Sequence, residues 1–143
     1  MTGMETQELI ETFEFLGDWE ERYRYLIDLG RKLEPLPEAE HSEANKVRGC
    51  MSQVWLTHRV EPGSPPRLTF LGDSDAHIVK GLIALLLQLL SGRTPQEILD
   101  ADVNGVFERL GLESHISMNR RNGFYAMVER IRQIAREHAT SVS

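Results

Sequence analysis

This chain has a single cysteine, Cys50, and that scarcity excludes more than any one motif suggests. One thiol forms neither an intramolecular disulfide nor a multi-cysteine metal site, so chemistry at Cys50 is that of a nucleophile or a sulfur carrier. His41, His58, His77, His115 and His138 are scattered, with no His-x-x-x-His spacing, and no Cys-x-x-Cys exists. A dedicated zinc site is therefore not expected. No glycine-rich loop matches a nucleotide motif, so the chain should bring no cofactor of its own. There is no long Lys/Arg run, and the net charge of -6 argues against nucleic acid as a main partner. The longest apolar run, Ile78 to Leu90, is interrupted by Lys80 and Gln88 and falls short of the ~20 residues a membrane span needs. It reads as a buried core helix. Met1 to Ile10 is polar and acidic rather than a signal peptide, and with one reduced cysteine this places the protein in the cytoplasm as an expectation.

What is present fits one domain spanning residues 1–143, long enough to bury about two-thirds of its unfolded surface. Thr2 and Glu5 have capping-box spacing before an amphipathic segment through Leu9, Phe13 and Leu16, which Gly17 breaks. Asp18 caps a second helix whose face carries Trp19, Tyr23, Leu26, Ile27 and Gly30, and Pro35 and Pro37 stop it. Residues 34–46 form a polar connection without periodicity that leads into Cys50. Gln53 to Val60 reads as a strand, with Val54, Leu56 and Val60 sharing a face with His58. Pro62-Gly63 and Pro65-Pro66 make the turn to a return strand over Arg67 to Leu71, and a short strand at Lys46 to Gly49 supplies a third. Gly72-Asp73-Ser74-Asp75 offers caps for the apolar helix, which Ser91-Gly92 ends. Thr94-Pro95-Gln96-Glu97 is a capping box with proline at the first helical position. Asp102 caps a short helix stopped by Gly111, and Ser117 opens a last helix striped by Phe124, Met127, Val128, Ile131 and Ile134. The fold class is α+β: a small three-stranded antiparallel sheet packed by helices.

Cys50 follows Gly49 and precedes Ser52-Gln53, a setting that presents a thiol on a tight turn at the mouth of a strand. A lone cysteine is more often a small buried hydrophobe, so its role depends on the neighbourhood. An unperturbed thiol with a pKa near ~8.5 supplies little thiolate at neutral pH. Helpers within the chain are Arg120 near the start of the last helix, Lys80, and the amides that open the helix after Asp73. Each has an ordinary role as well: Arg120 as a surface ion-pairing residue, Lys80 as a side chain snorkelling from a core helix, Asp73 and Asp75 as caps. A Cys/His hydrolase would use His77 or His115, but nothing in the sequence brings either to Cys50.

Four separated motifs then align. Asp18-Trp19-Glu20-Glu21-Arg22-Tyr23, Val47-Arg48-Gly49-Cys50-Met51-Ser52-Gln53-Val54-Trp55, Gly72-Asp73-Ser74-Asp75-Ala76 with Ile78-Val79-Lys80-Gly81-Leu82, and Arg120 with Asn122-Gly123 resemble the SufE-type cysteine desulfurase sulfur acceptors, from roughly Leu9 to Ala135. The resemblance implies that a PLP-dependent, SufS-like desulfurase partner strips sulfur from cysteine and holds it as a persulfide. Cys50 would take that sulfur, accelerate the desulfurase by draining it, and deliver it to a SufBCD-like iron–sulfur scaffold. It also implies a fold similar to the IscU-type scaffolds, with Asp75 and Arg120 in docking or in the environment of the cysteine loop. Asp73, Ser74 and Lys80 belong to the same motif. With one cysteine the chain should pass sulfur but not hold iron. Where the family usually has proline two residues before the arginine, this chain has Met118.

Two other readings stand beside this one: a non-catalytic allosteric activator of a desulfurase, and a stand-alone thiol hydrolase. A CsdE-like acceptor serving another sulfur pathway is a variant of the first reading. The acidic balance suggests a docking surface complementary to basic residues on the desulfurase, with Asp75 part of it.

Overall fold

A computed structural model describes residues 6–49 and 52–141 of the chain. The order of elements is α1 (Thr6–Leu16), α2 (Trp19–Arg31), two short 3-10 turns at Glu38–Glu40 and Glu43–Asn45, β1 (Val54–Glu61), β2 (Arg67–Ser74), α3 (His77–Leu90), α4 (Pro95–Asp100), α5 (Val103–Arg109), a 3-10 turn at Leu112–Ser114, and α6 (Met118–Ser141). The Thr2–Glu5 capping box lies outside the described residues.

Local chemistry sets most boundaries as the sequence implies. The Asp18 carboxylate accepts from the Glu21 amide at 2.9 Å and starts α2. Thr94 and Glu97 form both halves of the capping box, with Pro95 inside the first turn of α4. Asp102 accepts from the Gly105 amide to start α5, and Ser117 Oγ accepts from the Arg120 amide at 3.3 Å to start α6. Met118 is therefore a workable first residue of α6 without proline, because the serine already satisfies one of the open amides.

The sheet is smaller than expected. Among the described residues it holds two strands, β1 and β2, paired antiparallel in register from Val54 with Ser74 to Glu61 with Arg67. The expected third strand at 46–49 shrinks to one bridge between Lys46 and Trp55, supported by the Val47 amide donating to the Val54 carbonyl at 2.8 Å. Arg48 and Gly49 then turn, with Gly49 at φ +89°, a left-handed conformation that ends a ladder and suits only glycine well. Val54 and Leu56 are buried, whereas Val60, near the hairpin tip, is 45% exposed.

The cap assignment before α3 also needs correction. β2 runs through Ser74, and the cap position of α3 is Ala76, which has no side-chain cap. The polar side chains that precede it are committed elsewhere, as described below.

The core lies between the hairpin, α3 and α6. α3 is buried nearly all round, from Ile78 to Leu90, and packs on β2 at one side and α2 on the other. The α6 stripe of Phe124, Met127, Val128, Ile131 and Ile134 is buried as its period predicts. Phe124 stacks on Phe107 of α5, centroids 4.2 Å apart. The Asp18–Tyr23 motif serves this architecture: Trp19 stacks on His115 at 3.8 Å, Arg22 lies over the Trp19 ring at 5.1 Å, and the Tyr23 hydroxyl donates to the His115 carbonyl. No helix among the described residues is long and apolar enough to cross a membrane.

Candidate functional site

Cys50 and Met51 lie outside the described residues, but the segments on both sides of them are described. The incoming segment crosses the open end of the hairpin. His41 anchors it, with Nε2 2.7 Å from Asp73 Oδ2 and Nδ1 3.1 Å from the Pro37 carbonyl oxygen. The same ring sits edge-on to Trp55 of β1, with centroids 4.7 Å apart. Asn45 donates to the Glu40 carbonyl at 2.9 Å, and Arg130 of α6 reaches across to the Ala44 carbonyl at 2.8 Å. The outgoing segment is tied by Asp75. Its carboxylate accepts from the Gln53 amide at 3.0 Å, and its own amide donates to the Gln53 carbonyl at 3.3 Å.

The Gly72–Ala76 motif is thus a junction. Asp73 turns its carboxylate to His41 and, at 3.5 Å, to Lys80 of α3. Ser74, buried, accepts from the Ala76 amide at 3.2 Å. Asp75 bonds Gln53 instead. Asp73 lies within β2 and Asp75 just past its end, so the strand's alternation does not fix the two carboxylates to one side and they serve different elements.

The charges at this junction shape one another. Burial alone pushes the Asp73 carboxyl up, but the His41 hydrogen bond, the Ser74 amide and the Lys80 charge outweigh it and hold the carboxyl below its ordinary range. The hydrogen bond to Asp73, opposed by partial burial, holds the His41 imidazole above its ordinary range.

Ser52, two positions after Cys50 in the sequence, lines a cleft of about 360 Å³. Val54, Val79, Leu82, Phe124 and Met127 give it an apolar floor, while Ser52, Ser117, Asn119 and Arg120 supply polar groups. Arg120 is exposed on the first turn of α6, and the cleft places it with Ser52, two residues beyond Cys50. Chain folding has therefore joined two motifs that stand about 70 positions apart in sequence, a separation loop entropy penalises only weakly.

The sequence-derived candidates divide accordingly. Asp73, Ser74, Asp75 and Lys80 form the junction, and Arg120 lines the cleft. Lys80 is committed to Asp73. His115, proposed for a hydrolase, is stacked on Trp19 with its Nδ1 against the Gly111 carbonyl. His77 is exposed at the first position of α3. His41 is the residue that sequence reasoning passed over. Its only signal was its place in the polar run leading to Cys50, because the partner that defines it lies 32 residues away. Among the described residues no group of three or more His, Cys, Asp or Glu is placed to hold a metal.

Comparison with known proteins bears on this arrangement. A family model described as SufE, Fe-S metabolism associated domain, matches residues 7–135. An uncharacterized SufE-like protein of Rhizobium meliloti (strain 1021) is 46% identical over 136 residues, covering 94% of this chain and 96% of that protein. A second uncharacterized SufE-like protein, from Rhizobium etli, is 46% identical over 135 residues, covering 94% and 91% respectively. The solution structure of a hypothetical protein from Thermus thermophilus is similar in fold, with TM-score 0.77 and 25% identity over 98% of this chain and 99% of that one.

Proposed function

The chain belongs to the SufE family, and from that premise we propose that it is a sulfur acceptor whose Cys50 takes persulfide sulfur from a PLP-dependent cysteine desulfurase. The observation that carries this reading is the organisation around the one cysteine. The contacts that fasten the 37–49 and 52–53 segments lie on both sides of the one residue in the chain that can hold sulfur as a persulfide.

The step is thiol–persulfide exchange. The Cys50 thiolate attacks the outer sulfur of the desulfurase persulfide. A new sulfur–sulfur bond forms on Cys50 as the old one breaks, and the electron pair leaves with the desulfurase thiolate. No external oxidant or reductant is required. Stimulation of the desulfurase follows from draining its persulfide, and the loaded sulfur goes on to an iron–sulfur scaffold of the SufBCD-like type. The cleft beside Ser52, with its apolar floor, has the character of a shelter for the loaded sulfur between the two transfers. Asp75 is proposed to hold the outgoing segment in register. Being exposed, it is also available to a docking partner.

The test is intact-mass analysis of the reduced protein after mixing with a desulfurase and free cysteine. A gain of one sulfur atom, reversed by a thiol reductant, is expected. No gain, beside a desulfurase that loads itself normally, would overturn the reading.

Arg120 is proposed to favour the anionic sulfur, since a neighbouring guanidinium lowers a thiol's pKa. Arg120→Ala should slow sulfur loading about tenfold, the scale of one pKa unit in thiolate population, with unchanged unfolding behaviour. Arg120→Lys should recover part of the rate. An unaltered loading rate in Arg120→Ala would remove the residue from the mechanism.

A further inference from the structure

We infer that His41 is a positioning residue: as an imidazolium it clasps the Pro37 carbonyl and the Asp73 carboxylate, pinning the 37–49 segment that leads to Cys50, and loss of one proton gives up one of these two ties and loosens that segment. Its consequence for sulfur transfer rests on the carrier reading above. The latch itself does not.

Donors and acceptors fix the protonation state of the ring. Nδ1 lies 3.1 Å from a carbonyl oxygen and Nε2 lies 2.7 Å from a carboxylate oxygen. Neither oxygen can donate when Asp73 is ionised, so both contacts are hydrogen bonds only if both ring nitrogens carry protons. A neutral imidazole keeps one of the two and turns a lone pair toward oxygen at the other. The ring is enclosed enough for this to matter, with the side chain 25% exposed and its edge against Trp55.

The other charged groups around the segment do not duplicate the clasp. From β2, Asp73 is the direct partner; β1 offers the Trp55 ring. From α3, Lys80 shares the Asp73 carboxylate but lies outside the segment, so it keeps Asp73 paired without holding residues 37–49. From α6, Arg130 bonds the Ala44 carbonyl, a second tie whose acceptor does not titrate. Within the segment, Glu40 accepts from Asn45 and Glu43 pairs with Arg48 at 3.5 Å, while Glu38 and Lys46 meet the rest through backbone contacts.

The sign follows from both partners. His41 is held above its ordinary range, so the clasp is complete at low to neutral pH and is lost as pH rises through the His41 value. Asp73 is held below its ordinary range, so at the acid end the clasp is lost only as pH falls through that lowered value.

Hydrogen exchange of the amides in 42–49, corrected for the intrinsic pH dependence of exchange, reads the latch directly. Between about pH 6 and about pH 9, protection in this segment should fall roughly tenfold, the scale of one lost charge-assisted hydrogen bond. His41→Gln should show the low protection at both ends of the range. His41→Arg, whose fork donates to two acceptors at any of these pH values, should show the high protection at both. Equal protection in all three proteins, or a pH response that persists in His41→Arg, overturns the latch. Sulfur loading by the desulfurase is measured beside it. The expected result is loading about tenfold slower for His41→Gln near pH 6 and restored by His41→Arg, matching the protection change. If protection changes as stated but loading does not, the latch has no part in transfer and the positioning role is overturned. If no protein gains sulfur at any pH, the carrier reading fails while the exchange data still decide the latch.

Discussion

Gly81→Ala is expected to destabilise the protein by about 2–3 kcal/mol, although the same change at an exposed helical site stabilises by up to about 1 kcal/mol. The reversal comes from the crossing of α2 and α3. A Cβ at position 81 would be driven into the Leu26 carbonyl of α2, with the Leu26 carbonyl carbon at 2.7 Å. On the facing helix, a Cβ at Gly30 would lie 2.8 Å from the Gly81 nitrogen and 2.9 Å from the Lys80 carbonyl carbon. The obstacles are backbone atoms, so no rotamer change relieves them. The helices must separate, and α3, buried from Ile78 to Leu90, cannot shift without opening gaps against β2 and α6. Overpacking therefore outweighs helix propensity. Chemical denaturation should show a lower midpoint at unchanged slope for Gly81→Ala and for Gly30→Ala. An equal or higher midpoint for both would show that the crossing has slack. Because Lys80 neighbours Gly81 and pairs with Asp73, the Gly81 variant should also lose protection around residues 73–75.

This crossing illustrates what the sequence does not show. Gly30 reads only as part of a helix face and Gly81 only as part of a motif, and the fold reveals that Gly30 faces the backbone at Lys80 and Gly81 while Gly81 faces the Leu26 backbone. Signals that act within a few residues were legible: Asp18, Thr94 with Glu97, Asp102 and Ser117 cap the helices their spacing implies. The α6 stripe and the apolar α3 were legible for the same reason, since period and run length are local properties. Misreadings arose where a local rule met a distant partner. Asp73 and Asp75 have the composition of caps, yet a histidine 32 residues upstream and an amide 22 residues upstream claim their carboxylates. The run at 46–49 begins a strand pairing, and the left-handed Gly49 ends it. At the candidate site, the identity of Cys50 and the motif around it were plain. That Arg120 shares a cleft with Ser52, and that His41 fastens the incoming segment, required the folded chain.

The junction also links fold to chemistry. Asp73, Ser74 and Asp75 close the end of the hairpin, start the route into α3 and hold both sides of the Cys50 segment. On the carrier reading the thiol meets two protein partners in turn, which calls for flanks that can give and then return to a defined place. Few buried apolar contacts and several hydrogen bonds across its flanks suit that need, because such ties open at modest cost while the core stays packed.

Cys50→Ser is expected to reduce sulfur loading to background and to abolish stimulation of the desulfurase along with it. Serine is nearly the same size, so the variant should unfold as the native protein does, and the loss can be assigned to chemistry. The hydroxyl is a far weaker nucleophile than a thiolate near neutral pH, and it cannot hold the transferred sulfur as a sulfur–sulfur bond. Loading and stimulation should fail together because, on the carrier reading, stimulation is the removal of the desulfurase persulfide and nothing else. The measurement pairs intact mass with the desulfurase rate at saturating cysteine, using wild type, Cys50→Ser and Arg120→Ala. Arg120→Ala should lie between the other two on both axes, with stimulation falling in step with loading. A Cys50→Ser protein that gains no sulfur yet stimulates as fully as wild type would separate the two effects. It would make the protein an allosteric activator whose cysteine is incidental to the rate. Stimulation that tracks loading across the three proteins would tie the desulfurase rate to the single thiol.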